Sequence, residues 1–290
     1  MKNASEKEPY VIVLGIAQDA GYPQINCQKK CCMRAWKNPQ LKKHATCLAI
    51  VDPSSKQQWI IDATPDLKHQ LHMLKSQSLI DPIDGFLLTH AHVGHYAGLI
   101  HLGKEIMGAE KIPVYAMRKM KEFIEKNKPW NQLVKLNNIN INLINEKSEY
   151  KLNENVTIKP FLVPHRTEFS ETVGYNIIIN NKTLIFIPDI DKWEEWNMKI
   201  ENIIPNIDYA FIDGTFYKDG EVNRDMSKIP HPLIEETMKR CNKLSKSDKS
   251  KIHFIHFNHT NPLLIKGSKD QMSVQKNGYN IAEEGMIINF

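Results

Sequence analysis

The sequence contains no long hydrophobic run, since no segment approaches the roughly 18 to 20 consecutive apolar residues that span a bilayer. The apolar stretch VIVLGIA at residues 11–17 follows charged residues and a proline, a pattern typical of a first strand and not of a signal peptide. Also absent are a glycine-rich phosphate loop, a repeat of about 20 to 50 residues and a low-complexity segment. We therefore expect a soluble, globular protein without membrane contact.

No charge of one sign predominates. The chain has 38 Lys and Arg against 33 Asp and Glu, a net charge of +5, and the two signs are interspersed. The densest basic run, KRCNKLSKSDKSK at residues 239–251, is typical of a helix end followed by a solvated loop. Nucleic-acid binding is therefore not expected, whereas a small anionic substrate is compatible with this charge balance.

Cysteine is scarce, and its number is odd. The chain has five cysteines, of which Cys27, Cys31 and Cys32 are too close in sequence to pair readily with one another. This spacing argues against a disulfide framework and favours reduced thiols or a metal site. Both interpretations point to a reducing compartment, so we expect a cytoplasmic location.

The apolar residues form short runs rich in Val, Ile and Phe. These runs predict strands at residues 10–16, 47–51, 58–61, 85–88, 156–162, 175–179, 183–187, 209–212, 252–257 and 285–288. Helical patterns lie between them at residues 65–75, 96–107, 117–126, 193–198 and 232–244. Asn180 and Asn181 predict a two-residue hairpin, because asparagine tolerates a positive φ. The chain should therefore be an α/β protein with partly antiparallel sheets covered by helices.

Three histidines fall within six residues, in the segment LLTHAHVGHYAGL at residues 87–99. A predicted strand precedes them and a predicted helix follows, so they occupy a loop at the carboxyl end of a strand, where functional residues concentrate. In an extended loop His90 and His92 project to the same side, while His95 approaches from the helix start. Imidazoles so placed can share a cation at about 2.0–2.1 Å, and we predict a metal site here.

This motif resembles the signature HxHxDH of the metallo-β-lactamase superfamily, with Gly94 where that family usually has aspartate. Other landmarks follow in the family's order: His165 in FLVPHRTE, Asp189 in IFIPDID and His259 in HFNHTNP. The stretches VLGIAQDAGYPQINC, IIDATPDL, IPDIDKWE, FIDGTF and NHTNP look like blocks of the pyrroloquinoline quinone biosynthesis protein B family. The resemblance implies one domain, residues 1–290, folded as an αββα sandwich of two mixed β-sheets flanked by helices, with metals at one edge.

The resemblance also implies two metal positions, the first held by His90, His92 and His165 and the second by His95, His259 and the bridging carboxylate of Asp189. Gly94 removes one carboxylate from the second position, which should weaken that position. Three protein ligands plus an open position still form a catalytic zinc site. We expect one or two zinc ions, with iron or manganese as alternatives.

Two aspartates outside the signature are further candidates. Asp19, in the turn AQDAG after the first predicted strand, either supplies a carboxylate from another loop at the same edge or hydrogen-bonds its own backbone. Asp191 either supports a ligand or caps a helix. The missing signature aspartate often receives the proton of the attacking water, so Asp189 and Asp19 are the catalytic candidates for that role.

The cysteines and several polar residues also have two interpretations each. Relatives of the resembled family carry a cysteine-rich structural zinc loop after the first strand. Cys27, Cys31 and Cys32 stand there in NCQKKCC, but their spacing is not CxCxxC and no fourth ligand stands out. A structural zinc and unliganded thiols therefore both stay open.

Residues near the later landmarks are less specific. His231, Asp213 and Thr215 either line the substrate mouth or serve as caps and turns. His253 and His256 lie on or beside a predicted strand, and one of them is a candidate to support a metal ligand.

The predicted function is metal-dependent hydrolysis at an HxHxGH site. An activated water would attack an ester, phosphodiester, lactone or amide of a small-molecule substrate. Imidazoles with one carboxylate also suit non-haem iron, so an oxygen-dependent enzyme related to pyrroloquinoline quinone biosynthesis is the alternative. A non-catalytic metal-binding protein on the same fold is a third hypothesis.

Overall fold

The computed structural model describes residues 8–290, so the first seven residues of the predicted domain lie outside the described part. Its strands are β1 (Tyr10–Gly15), β2 (Cys47–Asp52), β3 (Gln57–Ile61), β4 (Gly85–Leu87), β5 (Ile112–Ala116), β6 (Ile139–Leu143), β7 (Tyr150–Lys151), β8 (Val156–Leu162), β9 (Val173–Ile179), β10 (Lys182–Ile187), β11 (Tyr209–Asp213), β12 (Ile252–Ile255), β13 (Asn280–Ile281) and β14 (Ile287–Asn289). They form two seven-stranded sheets, of order β14-β1-β2-β3-β4-β5-β6 and β13-β12-β11-β10-β9-β8-β7.

Both sheets are mixed. Neighbours from β3 to β6 run parallel, and so do neighbours from β10 to β13. The remaining neighbours in each sheet are antiparallel. Each sheet therefore combines a hairpin half with a half that needs crossover connections, as expected for helices lying outside the sheets.

The α-helices cover the outer faces. They are α1 (Lys30–Lys37), α2 (Leu67–Ser78), α3 (Val93–Tyr96), α4 (Arg118–Lys126), α5 (Trp130–Lys135), α6 (Ile200–Ile203), α7 (Ile234–Arg240), α8 (Lys246–Lys249) and α9 (Lys269–Lys276). Among the described residues, none of these helices has the length and apolar character needed to cross a bilayer. The predicted αββα sandwich of two mixed sheets flanked by helices is confirmed.

The core explains why the strands are almost continuously apolar. In β1 every residue is buried, and alternate side chains face opposite layers. Val11 and Val13 belong to the core that the two sheets share, whereas Ile12 and Leu14 lie in the core between the first sheet and its helices. A strand covered on both faces has no polar side, which matches the pattern of central strands.

Local sequence rules succeed at the hairpin between β9 and β10. Asn180 and Asn181 have φ of +48° and +67°, and Ile179 pairs with Lys182 across the turn. Two positive φ values define the type I′ turn, whose twist suits two-residue hairpins. The predicted hairpin is confirmed.

Some predicted elements differ from the observed ones. The helix expected over residues 96–107 is a single turn followed by a 3₁₀ segment that ends at Leu102. A Cβ on Gly98 would lie only 2.0 Å from the carbonyl oxygen of Thr64, so this segment passes the Thr64 loop at a distance that only glycine allows. The pattern at residues 193–198 forms only a short 3₁₀ turn, Trp193–Glu195.

Polar loops leave one common edge of the two sheets. In the first sheet they follow the carboxyl ends of β1, β3 and β4, and in the second those of β8, β10, β11 and β12. This is where open α/β sheets bind ligands, because the ends of parallel strands bring several loops together. The candidate site lies at this edge.

Candidate metal centre

The first metal position is formed by His90, His92 and His165. His90 Nε2 and His92 Nδ1 are 2.8 Å apart, and the three residues offer nitrogen atoms that all lie within 4.8 Å of one another. His90 and His165 are buried, whereas His92 keeps some exposure to solvent. The structure thus brings the loop after β4 together with the loop after β8.

The second metal position is formed by His95, His256 and Asp189. His95 Nε2 lies 2.9 Å from Asp189 Oδ2, and His256 Nε2 lies 3.3 Å from the same oxygen. All three side chains are at most 4% exposed. His256 directly follows β12 and has a φ of +68°, a left-handed conformation that is uncommon for a non-glycine residue.

Asp189 lies between the two positions. Its Oδ2 faces the second position, while its Oδ1 lies 3.7 Å from His165 Nε2. His90 Nε2 is 3.5 Å from Oδ2. The Asp189 carboxylate therefore lies within reach of the residues of both positions, as its predicted bridging role requires.

The ring orientation of four of the five histidines is fixed from behind by an oxygen atom at Nδ1. The bonded pairs are His90 Nδ1 with Thr89 Oγ1 at 3.0 Å, His95 Nδ1 with Asp62 Oδ2 at 2.7 Å, His165 Nδ1 with Asp191 Oδ1 at 2.8 Å and His256 Nδ1 with Thr215 Oγ1 at 2.9 Å. Such partners select the tautomer whose Nε2 lone pair faces inward, as in metal-binding histidines. Asp191 therefore contacts a candidate ligand, His165, and does not cap a helix, because Lys192 occupies the cap position of the next turn.

The buried polar atoms of these residues fit a divalent cation, as their missing hydrogen bonds and their spacing indicate. Within the described residues, the buried Nε2 atoms of His165 and His256 have no hydrogen-bond partner, and His95 Nε2, although 2.9 Å from Asp189 Oδ2, is not aligned for a hydrogen bond with it. Buried polar atoms are normally satisfied, so three that converge on one carboxylate need a common partner. Their distances to Asp189, 2.9–3.7 Å, bracket the about 3.4 Å expected between tetrahedral ligands at about 2.0–2.1 Å from zinc.

Charge and burial act in opposite directions in this cluster. Burial lowers the pKa of His90 and His256, and it lowers the pKa of His92 to about 4. Burial also acts against a charged His95, but the carboxylates of Asp62 and Asp189 hold its pKa well above the ordinary value. A cation binds imidazole in its neutral form, so the low pKa values keep those ligands ready at neutral pH.

A buried histidine–aspartate pair, His231 and Asp213, adjoins the metal positions. His231 Nδ1 lies 2.8 Å from Asp213 Oδ2 and 3.4 Å from Asp189 Oδ1. Both His231 and Asp213 are buried, and Thr215 donates its backbone N–H to Asp213. Of the two interpretations from sequence, the structure favours a site role over a cap, because His231 faces the bridging carboxylate.

Asp19 also reaches the second metal position. Its carboxylate, together with the nitrogens of His95 and His256, forms a group whose ligand atoms lie within 4.8 Å of one another. Within the described residues its side chain accepts no hydrogen bond from its own turn, so the turn-aspartate interpretation has no geometric support.

The three clustered cysteines meet His259. Cys32 Sγ lies 3.3 Å and Cys31 Sγ lies 3.7 Å from His259 Nδ1, while Cys27 Sγ is 3.9 Å from Cys31 Sγ. These separations are close to the roughly 3.5–3.8 Å expected for tetrahedral sulfur and nitrogen ligands of zinc. We call these four residues the cysteine cluster; it joins the start of α1 to the loop after β12.

His259 was expected at the second metal position, and its place there needs correction. The reason is the end of β12, which lies at Ile255 and not at residue 257 as predicted. His256 therefore leaves the strand directly toward Asp189, and the turn that begins at Asn258 carries His259 to the cysteines. For the same reason the sequence offered no fourth ligand for the three cysteines, because His259 was assigned to the second metal position.

Burial shapes the thiols of the cysteine cluster. It raises the pKa of Cys31, and it raises the pKa of Cys32 to about 12. Without a cation these two side chains are therefore thiols at neutral pH. Zinc binds the thiolate form, so its binding would displace the protons.

Sequence reasoning missed the residues that orient the ligands. Asp62 and Thr89 both follow strand ends, and Asp62 lies in IIDATPDL with a φ of +68°. Thr89 directly precedes the histidine motif. A polar residue immediately after a buried strand was the available signal, because that position faces the edge of the sheet.

Comparisons with known proteins agree with this architecture. The family model for the Beta-lactamase superfamily domain matches residues 58–256, and the chain belongs to this superfamily. It is similar to Coenzyme PQQ synthesis protein B from Methylorubrum extorquens (strain PA1), with 26% identity over 309 aligned positions that cover 97% of this chain and 99% of that protein. The same protein from Gluconobacter oxydans is 24% identical and covers 95% of this chain and 97% of its own length.

Solved structures share the fold. Zn(2+)-bound PqqB from Methylobacterium extorquens superposes with a TM-score of 0.81 at 22% identity, covering 97% of this chain and all of that one. A diphosphatase from the PhnP family has a TM-score of 0.71 at 18% identity, covering 98% and 97% of the two chains. The predicted likeness to the pyrroloquinoline quinone biosynthesis protein B family is confirmed.

Proposed function

We propose that this protein is a metal-dependent hydrolase that acts on small anionic esters at the edge formed by the two sheets. One observation carries the proposal: buried, unpartnered Nε2 atoms of His95, His165 and His256 converge on Asp189 while their Nδ1 atoms are held by oxygen atoms. A set of fixed, inward-facing imidazoles around one carboxylate is the donor arrangement of a catalytic cation site.

Zinc is the cation we propose, at one or both positions. Neutral imidazoles with one or two carboxylates suit zinc in tetrahedral geometry, and a relative of similar fold was solved with bound Zn(2+). When bound, such an ion polarises the substrate oxygen and lowers the pKa of its water from about 15.7 toward about 7.

His231 is positioned to exchange a proton with the substrate. Asp213 holds the Nδ1 atom, and within the described residues the Nε2 atom of His231 forms no hydrogen bond. The bridging Asp189 lies on one side of the ring. We propose that His231 Nε2 donates a proton to the departing oxygen, while one of two carboxylates, Asp189 or Asp19, accepts the proton of the attacking water.

Arg166 places a guanidinium group at the site mouth, where Glu168 lies 3.8 Å from its Nη1 atom. It directly follows His165, its side chain is 53% exposed, and its Nη2 atom lies 3.5 Å from His92 Nδ1. Guanidinium groups bind phosphate and carboxylate oxygens in pairs. Because a protein of similar fold is a diphosphatase, phosphate esters are the first substrates to test.

The test combines metal analysis with turnover. Protein purified without chelator is analysed for zinc, iron and manganese, and then assayed with bis(p-nitrophenyl) phosphate, a p-nitrophenyl carboxylic ester and a lactone. We expect zinc in the preparation and oxygen-independent hydrolysis of at least the phosphodiester. Stoichiometric iron with oxygen consumption would favour the oxidative alternative, and zinc without turnover would favour a non-catalytic metal-binding protein.

Two histidines three residues apart provide a matched pair of variants. We expect His256→Asn to lose turnover by more than the about 10–100-fold typical of ligand-supporting residues. Asparagine tolerates the left-handed backbone at this position. His253→Asn is the control, because His253 lies in β12 three residues earlier, stacks on Phe211 and bonds the backbone carbonyl of Lys251. Equal loss in both variants would contradict the assignment.

The cysteine cluster has a separate, structural role in this proposal. We propose that Cys27, Cys31, Cys32 and His259 hold a zinc ion that ties α1 to the loop after β12. Four ligands close the tetrahedron, so no position is left for a substrate. Thiolates of this kind need a reducing compartment, and we therefore also propose a cytoplasmic location.

A further inference from the structure

Gly94 and the turn that contains Asp19 are in close contact. An ideal Cβ added to Gly94 would lie 2.6 Å from Asp19 Cα, 2.7 Å from Asp19 Oδ1 and 3.3 Å from Asp19 Cβ. The first of these contacts is with backbone, which cannot rotate away as a flexible side chain would. Any side chain at position 94 therefore has to displace the Asp19 turn.

The Asp19 turn is fixed to the strand that carries His256. Gln18 donates its backbone N–H to Phe257 at 2.9 Å, and Phe257 donates to Ile16 at 2.8 Å. Asp19 itself has a φ of +41°, outside the usual range for a side-chain-bearing residue. After Asp19, Tyr22 donates its backbone N–H to Lys43 at 2.7 Å, and a strained residue held by hydrogen bonds on both sides marks a position that the fold specifies.

The Asp19 carboxylate, held in place by this turn, faces buried nitrogen atoms of His95 and His256. Asp19 and the nitrogens of His95 and His256 lie within 4.8 Å of one another, and the Nε2 atoms of both histidines are buried and unsatisfied among the described residues. Asp19 is only half-buried, so its carboxylate joins the site from the solvent side. Opposite it, Asp189 closes the group from within the sheets.

We propose that Asp19 is a carboxylate ligand of the second metal position, and that residue 94 is glycine because Asp19 occupies the space of its side chain. The carboxylate that the HxHxDH signature supplies from the α3 start comes here from the loop after β1. The charge and ligand number of the second position are then preserved although the motif reads HxHxGH. This inference rests on the proposed metal centre and assigns one of its ligands.

Residues 19 and 94 also constrain each other. Gly94→Asp alone places two carboxylates in one space, so we expect it to lower both stability and metal content. Asp19→Gly removes the contacts at 2.7 and 3.3 Å, and a glycine at φ of +41° lets the turn shift away from the remaining backbone contact. The double variant Asp19→Gly/Gly94→Asp should therefore recover what each single variant loses.

The experiment measures metal binding directly. Wild type, Asp19→Asn, Gly94→Asp and the double variant are stripped of metal, titrated with zinc by calorimetry and analysed for bound zinc after dialysis. Asparagine tolerates a positive φ, so Asp19→Asn keeps the turn and removes only the charge. We expect Asp19→Asn to weaken one zinc equivalent at least tenfold and leave the others unchanged.

Each outcome decides between the claims. Unchanged zinc binding in Asp19→Asn, or a stable Gly94→Asp variant with full zinc content, would overturn the ligand assignment and leave the metal centre standing. No zinc in wild type beyond the equivalent lost on mutating Cys32 would overturn the metal centre itself. We expect the double variant to recover zinc content and melting temperature, because the collision that Gly94→Asp creates is relieved when the Asp19 side chain is removed.

Discussion

Asp62→Asn tests how the second metal position is oriented. Asp62 is fully buried after β3, where its Oδ1 accepts the backbone N–H of Thr89 at 2.8 Å and its Oδ2 bonds His95 Nδ1 at 2.7 Å. An asparagine side chain has one acceptor in place of two. In either orientation, one N–H of the amide therefore faces another N–H, or His95 changes tautomer and turns a protonated Nε2 toward the metal position.

The magnitude follows from these contacts. Loss of an outer partner of this kind weakens metal binding by about 10–100-fold, which corresponds to about 1.4–2.7 kcal/mol. The buried mismatch also lowers the free energy of unfolding of the metal-free protein by about 1–3 kcal/mol. The backbone contributes little, because asparagine tolerates the φ of +68° at this position.

The assay is zinc titration of metal-free protein, combined with chemical denaturation. Asp52→Asn is the control, because Asp52 is also a buried carboxylate with several donors, such as Asn155, but lies at the opposite end of the sheet. We expect the control to lose stability and keep its zinc affinity. Equal zinc affinity in Asp62→Asn and wild type would refute the reasoning that the carboxylate selects the His95 tautomer.

Two further predictions concern other parts of the chain. Burial raises the pKa of Glu221 from 4.5 to about 7, so between these pH values the folded chain holds a proton that the unfolded chain loses. The free energy of unfolding should therefore fall as the pH rises through this range, by on the order of 2–3 kcal/mol relative to Glu221→Gln. Urea denaturation of both proteins at pH 5 and pH 8 will measure this difference. A difference that is equal at both pH values would contradict this. Cys32→Ser should lose one zinc per chain by elemental analysis, whereas Cys241→Ser, equally buried but outside the cluster, should lose none; unchanged zinc content in Cys32→Ser would contradict the cysteine cluster as a metal site.

Much of the fold follows from local pattern, but β5 and β6, the last two strands at one side of the first sheet, do not. The buried strands are nearly continuous apolar runs, and the hairpin at Asn180 depends on two residues alone. Strand β5 contains Pro113, which sequence rules treat as a strand breaker, and β6 alternates isoleucine and asparagine over only five residues. These two strands depend on pairing with each other and with β4, which no local window contains.

In the site, too, some features follow from local sequence and others depend on tertiary structure. The spacing of His90, His92 and His95 is a local feature, and the structure brings all three to one edge. The choice between His256 and His259 depends on where β12 ends, and a strand end that shifts by two residues exchanges their roles. The contact of Asp19 with Gly94 joins loops 75 residues apart in sequence and depends on the first sheet bringing the ends of β1 and β4 to one edge. Such contacts are set by tertiary structure and have no sequence signal of their own.

The central claim is that His90, His92, His95, His165 and His256 surround cations that Asp189 bridges. Anomalous diffraction from crystals of the zinc-loaded protein, recorded above and below the zinc edge, tests it most directly. The account predicts peaks beside Asp189, about 3.5–4 Å apart if both positions are filled, and a further separate peak among Cys27, Cys31, Cys32 and His259. An ordered Asp189 with no anomalous peak beside it would contradict the account.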